Sequence, residues 1–394
     1  MFRFYTAGES HGKGLLGFLE GLPAGLEIDR RRIDLQLFRR QLGYGRGGRM
    51  KIESDEAEIL SGLRHGKTLG SPVSFIIANK DWKNWLIPMS CDPVPAGAEL
   101  RSVTRPRPGH ADLPSALKYQ TRDIRDILER ASARETAART AGGAFARILL
   151  GYFGIRIASH VLSIGNARVA AAYESLTFDG IAAAENNEVS EIYLRCADRN
   201  AAARMAALID EAEKTGDTLG GVVEIAAAGV PPGLGSHVQW DRRLDGLLAG
   251  AMMSIPSVKA VEIGDGIAGA RNLGSSVHDA ILYDDEKRCF QHETNRAGGM
   301  EGGVSNGEEI RARIYLKPIP TLRRPLASVD IQSKQAFDAA VERGDVCAVP
   351  AAGVVGESML ALVLCGAFLE KFGGDSMEET ADNYNRFMER IREY

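Results

Sequence analysis

The side chains best suited to chemistry are two histidines in glycine turns and a group of arginines. His11 stands in Glu9-Ser10-His11-Gly12, and His110 in Pro108-Gly109-His110-Ala111-Asp112. Such settings leave an imidazole accessible, and beside a bound anion it can act as a general acid at neutral pH. A turn histidine that only bonds backbone fits the same pattern. His65, His160, His237, His278 and His292 lack this setting and read as structural. Arg39, Arg40, Arg46, Arg49 and Lys51 gather at a helix end and the glycine loop after it. Arg101, Arg105 and Arg107 precede the His110 turn, and Arg134 lies in Ala131-Ser132-Ala133-Arg134-Glu135-Thr136. A loop arginine flanked by glycine or proline, with no adjacent carboxylate, suits bidentate capture of phosphate or carboxylate. A small polyanionic ligand is the expectation. No pair of histidines or carboxylates has metal-ligand helical spacing, so no metal site is expected.

Two glycine motifs imitate nucleotide sites and fail on context. Residues 43–48 (GYGRGG) satisfy GxGxxG, but a helix precedes and a strand follows, the reverse of the dinucleotide-binding order. Residues 8–14 (GESHGKG) are one residue short of a P-loop and lack its Ser/Thr. Three later segments add to the picture. Residues 295–307 form a glycine loop suited to a flat ring or a phosphate. Residues 317–321 (KPIPT) end a strand rigidly. Residues 343–350 place Arg343 and Asp345 two apart.

The elements that must position these groups are mixed. Apolar residues one turn apart predict helices over 33–42, 134–152, 201–213, 240–253, 334–342 and 356–372. Strands are expected over 50–53, 73–78, 155–164, 221–228, 258–263, 280–283 and 310–316. Helices and strands do not alternate strictly, so a regular parallel sheet is not implied. No linker or repeat marks a domain boundary, and residues 376–394 read as a final charged helix lying on the surface or on a neighbouring subunit. The formal net charge of −4, from 48 basic and 52 acidic residues, argues against a nucleic-acid or anionic-membrane partner. Five cysteines without a CxxC spacing argue against disulfides or zinc and for the reducing cytosol. The start has no apolar h-region, and the longest apolar run, 359–368, is about half of the ~18 residues a membrane span needs. A soluble cytoplasmic protein is expected. The 44 glycines among 394 residues exceed the usual ~7%, which suggests many close backbone approaches.

Taken together, these segments resemble the chorismate synthase family. Residues 9–12 are similar to its GESHG opening, 105–112 (RPRPGHAD) to its RPGHAD segment, and 130–137 (RASARETA) to its RSSARETA signature. The glycine loop, 317–321 and 343–350 resemble its C-terminal signatures, and the blocks run in the family's order from residue 8 to about 360.

The resemblance implies an anti-1,4-elimination of phosphate from 5-enolpyruvylshikimate 3-phosphate, giving chorismate. It implies reduced FMN without net redox change, with NADPH as a candidate reductant. By that similarity His110 protonates the departing phosphate, His11 stabilises the reduced flavin, and Asp345 serves the proton transfer at the flavin. Arg40, Arg46, Arg49, Arg107, Arg134 and Arg343 are expected to hold substrate. Ser132, Ala133, Arg134, Pro256, Ser257, Gly302, Lys317, Pro318, Ile319, Pro320, Thr321 and Arg343 are expected to hold FMN. Ala131, Pro256-Ser257 and Gly344 depart from the family pattern; Pro256 offers no backbone donor, and Gly344 is expected to loosen the chain beside Asp345. The implied fold is α+β, a β-α-β sandwich with a helical layer between two antiparallel sheets. The implied organisation is one domain over 1–394, assembled as a homotetramer. A flavin oxidoreductase and a non-catalytic anion- or RNA-binding protein are the alternatives. The first lacks a dinucleotide motif in the right order; the second leaves His11 and His110 without purpose.

Overall fold

The structure, a computed structural model, describes residues 1–46, 55–184, 193–286, 288–342 and 344–394. One sheet contains β1 (Arg3–Ala7), β2 (Gly14–Glu20), β3 (Glu58–Ser61) and, after the short hairpin β4 (Leu63–Arg64) and β5 (Lys67–Thr68), β6 (Val73–Ala78). Its order is β1-β2-β6-β3. The other contains β7 (Arg156–Ile164), β8 (Ala167–Arg168), β9 (Gly221–Ala228), β10 (Val258–Ile263) and β15 (Ile310–Leu316), in the order β10-β15-β9-β7-β8. Every pairing within both sheets is antiparallel. The two-residue period is plain in β15, which buries Ile310, Ala312, Ile314 and Leu316 and leaves the residues between half-buried.

Helices α1 (Arg30–Gln41), α4 (Thr136–Tyr152) and α10 (Val349–Phe372) fill the space between the sheets, so the fold is the expected α+β sandwich. The middle of α4 is made of small residues, and this sets how close its neighbours come. A Cβ at Gly142 would fall 2.3 Å from the Phe4 ring of β1, and one at Gly143 would fall 2.4 Å from Ser358 Cβ of α10. On its other side α10 approaches the second sheet at Gly353, where a Cβ would meet Ser159 Oγ at 2.8 Å. A helix apolar all round is a buried one. By length and composition α10 could cross a membrane, a longer apolar stretch than the run at 359–368 suggests, yet 78% of its apolar window is buried inside the protein. Midway along it, Glu357 is fully buried and accepts from Arg39 (2.8 Å), Arg147 (2.8 Å), Arg195 (2.6 Å) and Ser159 Oγ (2.7 Å).

The remaining elements are peripheral. Short α2 (Asp112–Tyr119) and α3 (Arg125–Leu128) precede α4, and α5 (Phe178–Ala183) packs Phe178 and Ile181 on Ala158 and Ala226 of the second sheet. Then come α6 (Arg199–Thr215), α7 (Leu244–Met253), α8 (Gly266–Gly269) and α9 (Gly274–Val277). Two hairpins lead into β15: β11 (Ile281–Asp284) with β12 (Cys289–His292), and β13 (Met300–Glu301) with β14 (Val304–Ser305). The charged tail forms α11 (Met377–Arg392), capped by Ser376 and Glu379, with Tyr384 and Phe387 against Phe368 and Phe372 of α10.

Several expected elements change. The helix expected over 334–342 is absent: Asp330–Lys334 is a turn with Lys334 at φ +63°, and β16 (Ala327–Val329) pairs with β17 (Ala336–Asp338). The apolar spacing there serves a hairpin, with the Arg105 guanidinium 4.1 Å over Phe337. The segment 240–253 is a 3-10 turn (Trp240–Arg242) and then α7, broken at the extended Arg243. β1, β2 and β3 were not anticipated, because glycines and polar residues interrupt them. The strand expected over 50–53 lies outside the described residues.

Candidate active site

A cavity of about 950 Å³ opens at the N-terminal end of α10, whose Ala348, Ala351, Ala352 and Val355 line it. Its other walls come from loops at the ends of β1, α1, α7 and β15, and from the turns before α2 and α4. It lies at the upper end of the ~300–1,000 Å³ typical of ligand pockets.

His11 is carried by the tight loop between β1 and β2. Gly8, at φ +93°, makes that loop possible, since a Cβ there would fall 2.2 Å from Gly14 O. Nδ1 of His11 is 2.9 Å from both carboxylate oxygens of Glu129, and its backbone N–H donates to Glu129 Oε2 at 2.8 Å. The ring stacks on Trp85 with centroids 3.9 Å apart. Glu129 is buried and also accepts from Arg125 of α3 at 3.0 Å. Burial pushes its carboxyl up, but the His11 and Arg125 contacts outweigh burial and hold it below the ordinary value.

His110 sits on the turn that Gly109, at φ +81°, closes before α2. Its Nδ1 is 2.5 Å from Asp112 Oδ1. Asp112 is fully buried and accepts from Arg107 through Nε (2.8 Å), Nη2 (3.1 Å) and the backbone N–H (3.0 Å). Burial raises the Asp112 carboxyl, but hydrogen bonds from His110 and Arg107 overcome this and leave it well below the carboxylate range. Each histidine thus presents Nδ1 to a buried carboxylate that an arginine also grips, and Arg107 Nη2 lies 3.0 Å from His110 Nδ1 as well.

The arginines correct one expectation. The expectation is of loop arginines with no adjacent carboxylate, yet of the six expected to hold substrate the four described each meet a carboxylate in space. Arg40 and Arg134 share Asp55 Oδ2 at 2.7 and 2.5 Å, Arg107 holds Asp112, and Arg46 Nη1 is 3.3 Å from Asp345 Oδ2. The partners arrive through the fold, since Asp55 is 79 residues from Arg134. A surplus of positive charge survives: Arg40, Arg46, Arg107, Arg134, Lys317 and Arg323 line the cavity, against Asp345 and Glu342. Nε of Arg40 is buried without a hydrogen-bond partner among the described residues. Burial lowers that guanidinium to about 10, with Asp55 raising it and Arg134 and Arg46 lowering it.

Of the residues expected to hold FMN, Ser132, Ala133, Arg134, Pro256, Ser257, Lys317, Ile319, Pro320 and Thr321 line the cavity. Pro318 does not, and Gly302 lies in the turn between β13 and β14, also outside the lining. Arg49 and Arg343 lie outside the described residues. Ser257 has a positive φ of 71°, and its carbonyl accepts from Lys317 N–H at 2.9 Å. At Gly344 a Cβ would come within 3.3 Å of Thr321, so the glycine also lies close against a cavity residue. Sequence reasoning missed Ser10, Asp55, Glu129 and Asp112. Asp112 was within reach, two residues from His110; Asp55 and Glu129 meet their partners only through tertiary contact.

A deep cavity rich in cations, with two carboxylate-backed histidines and an acid, defines an enzyme that acts on a small polyanion. The family model for chorismate synthase matches residues 2–369. Chorismate synthase of Solibacter usitatus is 53% identical over 394 residues, covering 100% of both chains, and that of Desulforudis audaxviator is 56% identical over 392 residues, covering 100% of this chain and 98% of its own. A crystal structure of chorismate synthase superposes with a TM-score of 0.79 at 42% identity, covering 100% of this chain and 99% of the other. The chain belongs to the chorismate synthase family: it is a carbon–oxygen lyase of the shikimate pathway.

Proposed function

We propose that the cavity binds 5-enolpyruvylshikimate 3-phosphate together with reduced FMN and eliminates phosphate to form chorismate. The single observation that carries this reading is the pairing of His110 with a surplus of arginines in one cavity. A substrate with two carboxylates and a phosphate needs several cations, and departure of a phosphate dianion is helped by a proton donor.

The residues fit the flavin on two observations of the chain. The cavity has room for a tricyclic ring beside a second small molecule, and its flavin-side wall offers hydroxyls from Ser132, Ser257 and Thr321 with the ammonium of Lys317. Reduced FMN, when bound, supplies an electron-rich ring that assists loss of the substrate's ring proton. The chain does the rest. Arg40, Arg46, Arg107 and Arg134, with Arg49 and Arg343, hold the anions and exclude water from them. His110, oriented by Asp112, delivers a proton to the departing phosphate. His11 stabilises negative charge on its side of the cavity, and Asp345 holds a proton acceptor beside Arg46. Gly302 would contribute to FMN binding only from outside the cavity of its own chain. The same reading has a homotetramer working in the cytoplasm, without nucleic acid or membrane as partner.

The test is anaerobic turnover. Purified protein with chemically reduced FMN should release phosphate from 5-enolpyruvylshikimate 3-phosphate and form chorismate; folded protein that gives no turnover defeats the reading. The same assay with NADPH as sole reductant tells whether the chain reduces its own flavin.

A further inference from the structure

We propose that Glu129 is a positioning residue that confines proton traffic on His11 to Nε2; this rests on the reading of His11 as an active-site group. Both carboxylate oxygens lie 2.9 Å from Nδ1, and Oε2 also takes the His11 backbone N–H at 2.8 Å. Ser10 N–H donates to the Glu129 carbonyl at 3.0 Å, so the two segments are tied through main chain and side chain together. An ionised carboxylate has no proton to give. Nδ1 must therefore be the donor whether the ring is neutral or charged, and only Nε2 is left to gain or lose a proton.

Four further contacts show that this geometry is built rather than incidental. Arg125 Nη1 donates to Glu129 Oε1 at 3.0 Å and its guanidinium lies 5.3 Å from the Trp85 ring centre, so one cation braces both partners of His11. Trp85 stacks on the imidazole and is itself fixed by its indole N–H donating to Asp81 at 3.0 Å. The stack and the contact of Nδ1 with both Glu129 oxygens oppose the ring flip that would exchange its two nitrogens. His110 differs: one Asp112 oxygen lies 2.5 Å from its Nδ1, and Arg107 Nη2 lies 3.0 Å from Nδ1 and 3.5 Å from Nε2, so its tautomer is set by an arginine as well as by a carboxylate.

The experiment uses full-length protein labelled with 15N at histidine, in the wild type and in Glu129→Gln, Glu129→Asp and His11→Ala. His11→Ala identifies the His11 resonances. The ligand-free wild type should show the proton of the neutral ring on Nδ1. Glu129→Gln, whose amide can accept or donate, should lose that preference and lower kcat on the order of 10²-fold, with the substrate KM within about threefold. Glu129→Asp should restore the Nδ1–H signature and part of the rate. A wild-type ring protonated on Nε2, or a Glu129→Gln variant with unchanged spectrum or unchanged kcat, overturns the proposal. Full activity in His11→Ala would instead overturn the catalytic reading of His11, while the tautomer result still reports on Glu129.

Discussion

Arg46 Nη1 stands 3.3 Å from Asp345 Oδ2, so a cation expected to hold substrate is paired with the acid expected to accept a proton. Their backbones are tied as well, since Val346 N–H and Cys347 N–H both donate to Gly45 O, at 2.9 and 3.3 Å. A substrate anion reaching Arg46 must share it with Asp345. Arg46→Ala should raise the substrate KM by about 10–100-fold, the value of a charged hydrogen bond, and also lower kcat. Arg46→Lys should recover part of both. Steady-state kinetics checks this, and an unchanged KM would remove Arg46 from the binding set.

His110→Ala should leave FMN affinity intact, measured by flavin fluorescence, and slow phosphate release by about 10²-fold. Asp112→Asn keeps the imidazole but removes the ionised acceptor at its Nδ1. It should reproduce most of the loss in kcat with little change in KM. An Asp112→Asn enzyme with full activity would show that the pairing is structural only.

Asp55→Asn should be costly in two ways. Arg40 and Arg134 are buried and both bond Asp55 Oδ2, so its neutralisation removes the charge that the two guanidiniums share. The expected loss is about 3–5 kcal/mol of stability, read from urea unfolding, together with weaker substrate binding as the two forks lose their alignment.

Acid should unfold the protein through Glu357. Burial raises its carboxyl, but Arg39, Arg195 and Arg147 prevail and hold it at about 2, against 4.5 ordinarily. The unfolded chain therefore takes up this proton first as acid is added. The stability Glu357 contributes is fully present above pH 4.5 and is lost as the pH falls toward 2. Glu357→Gln should flatten the slope of stability against pH in that window. It should also lower stability at neutral pH, because three arginines remain around an uncharged group. Thermal melting across the range measures both effects.

Gly143→Ala should destabilise although alanine favours helix. The gain in propensity is at most ~1 kcal/mol, whereas the new Cβ would sit 2.4 Å from Ser358 Cβ and 2.6 Å from its Cα. Backbone must move, at about 1–3 kcal/mol. A melting temperature at or above that of the parent would contradict this.

The site was legible in sequence wherever chemistry and constraint are close in the chain. His110 shares its turn with Gly109 and Asp112, and Lys317–Thr321 carries its own prolines, so glycine, proline and charge pointed to these positions. Two of the carboxylates that orient cavity side chains, Asp55 and Glu129, were not legible. Asp55 lies 15 residues from Arg40, and Glu129 lies 118 from His11, distances over which no local pattern operates. The sheets divide similarly. β9 and β15 are continuous apolar or alternating runs and announced themselves. β2 did not, because Gly14 and Gly17 break its pattern. Gly17 lies under the Phe75 ring, where a Cβ would come within 2.0 Å, and that reason exists only across strands. At 334–342 the period misled, since Phe337 packs beneath an arginine rather than along a helix face.

The position of α10 in chain order bears on biogenesis. Every described strand of both sheets is synthesised before residue 349 begins the helix that lies between them. A ribosome-bound chain shorter than that has made Ile225 and Ile314 but not the α10 surface around Gly356 that packs on them. Nor can a ligand rescue it, because the cavity floor is the first turns of the same helix. Until α10 docks, the nascent chain leaves the inner face of the second sheet and the facing side of α4 uncovered, the kind of surface that holdase chaperones shelter.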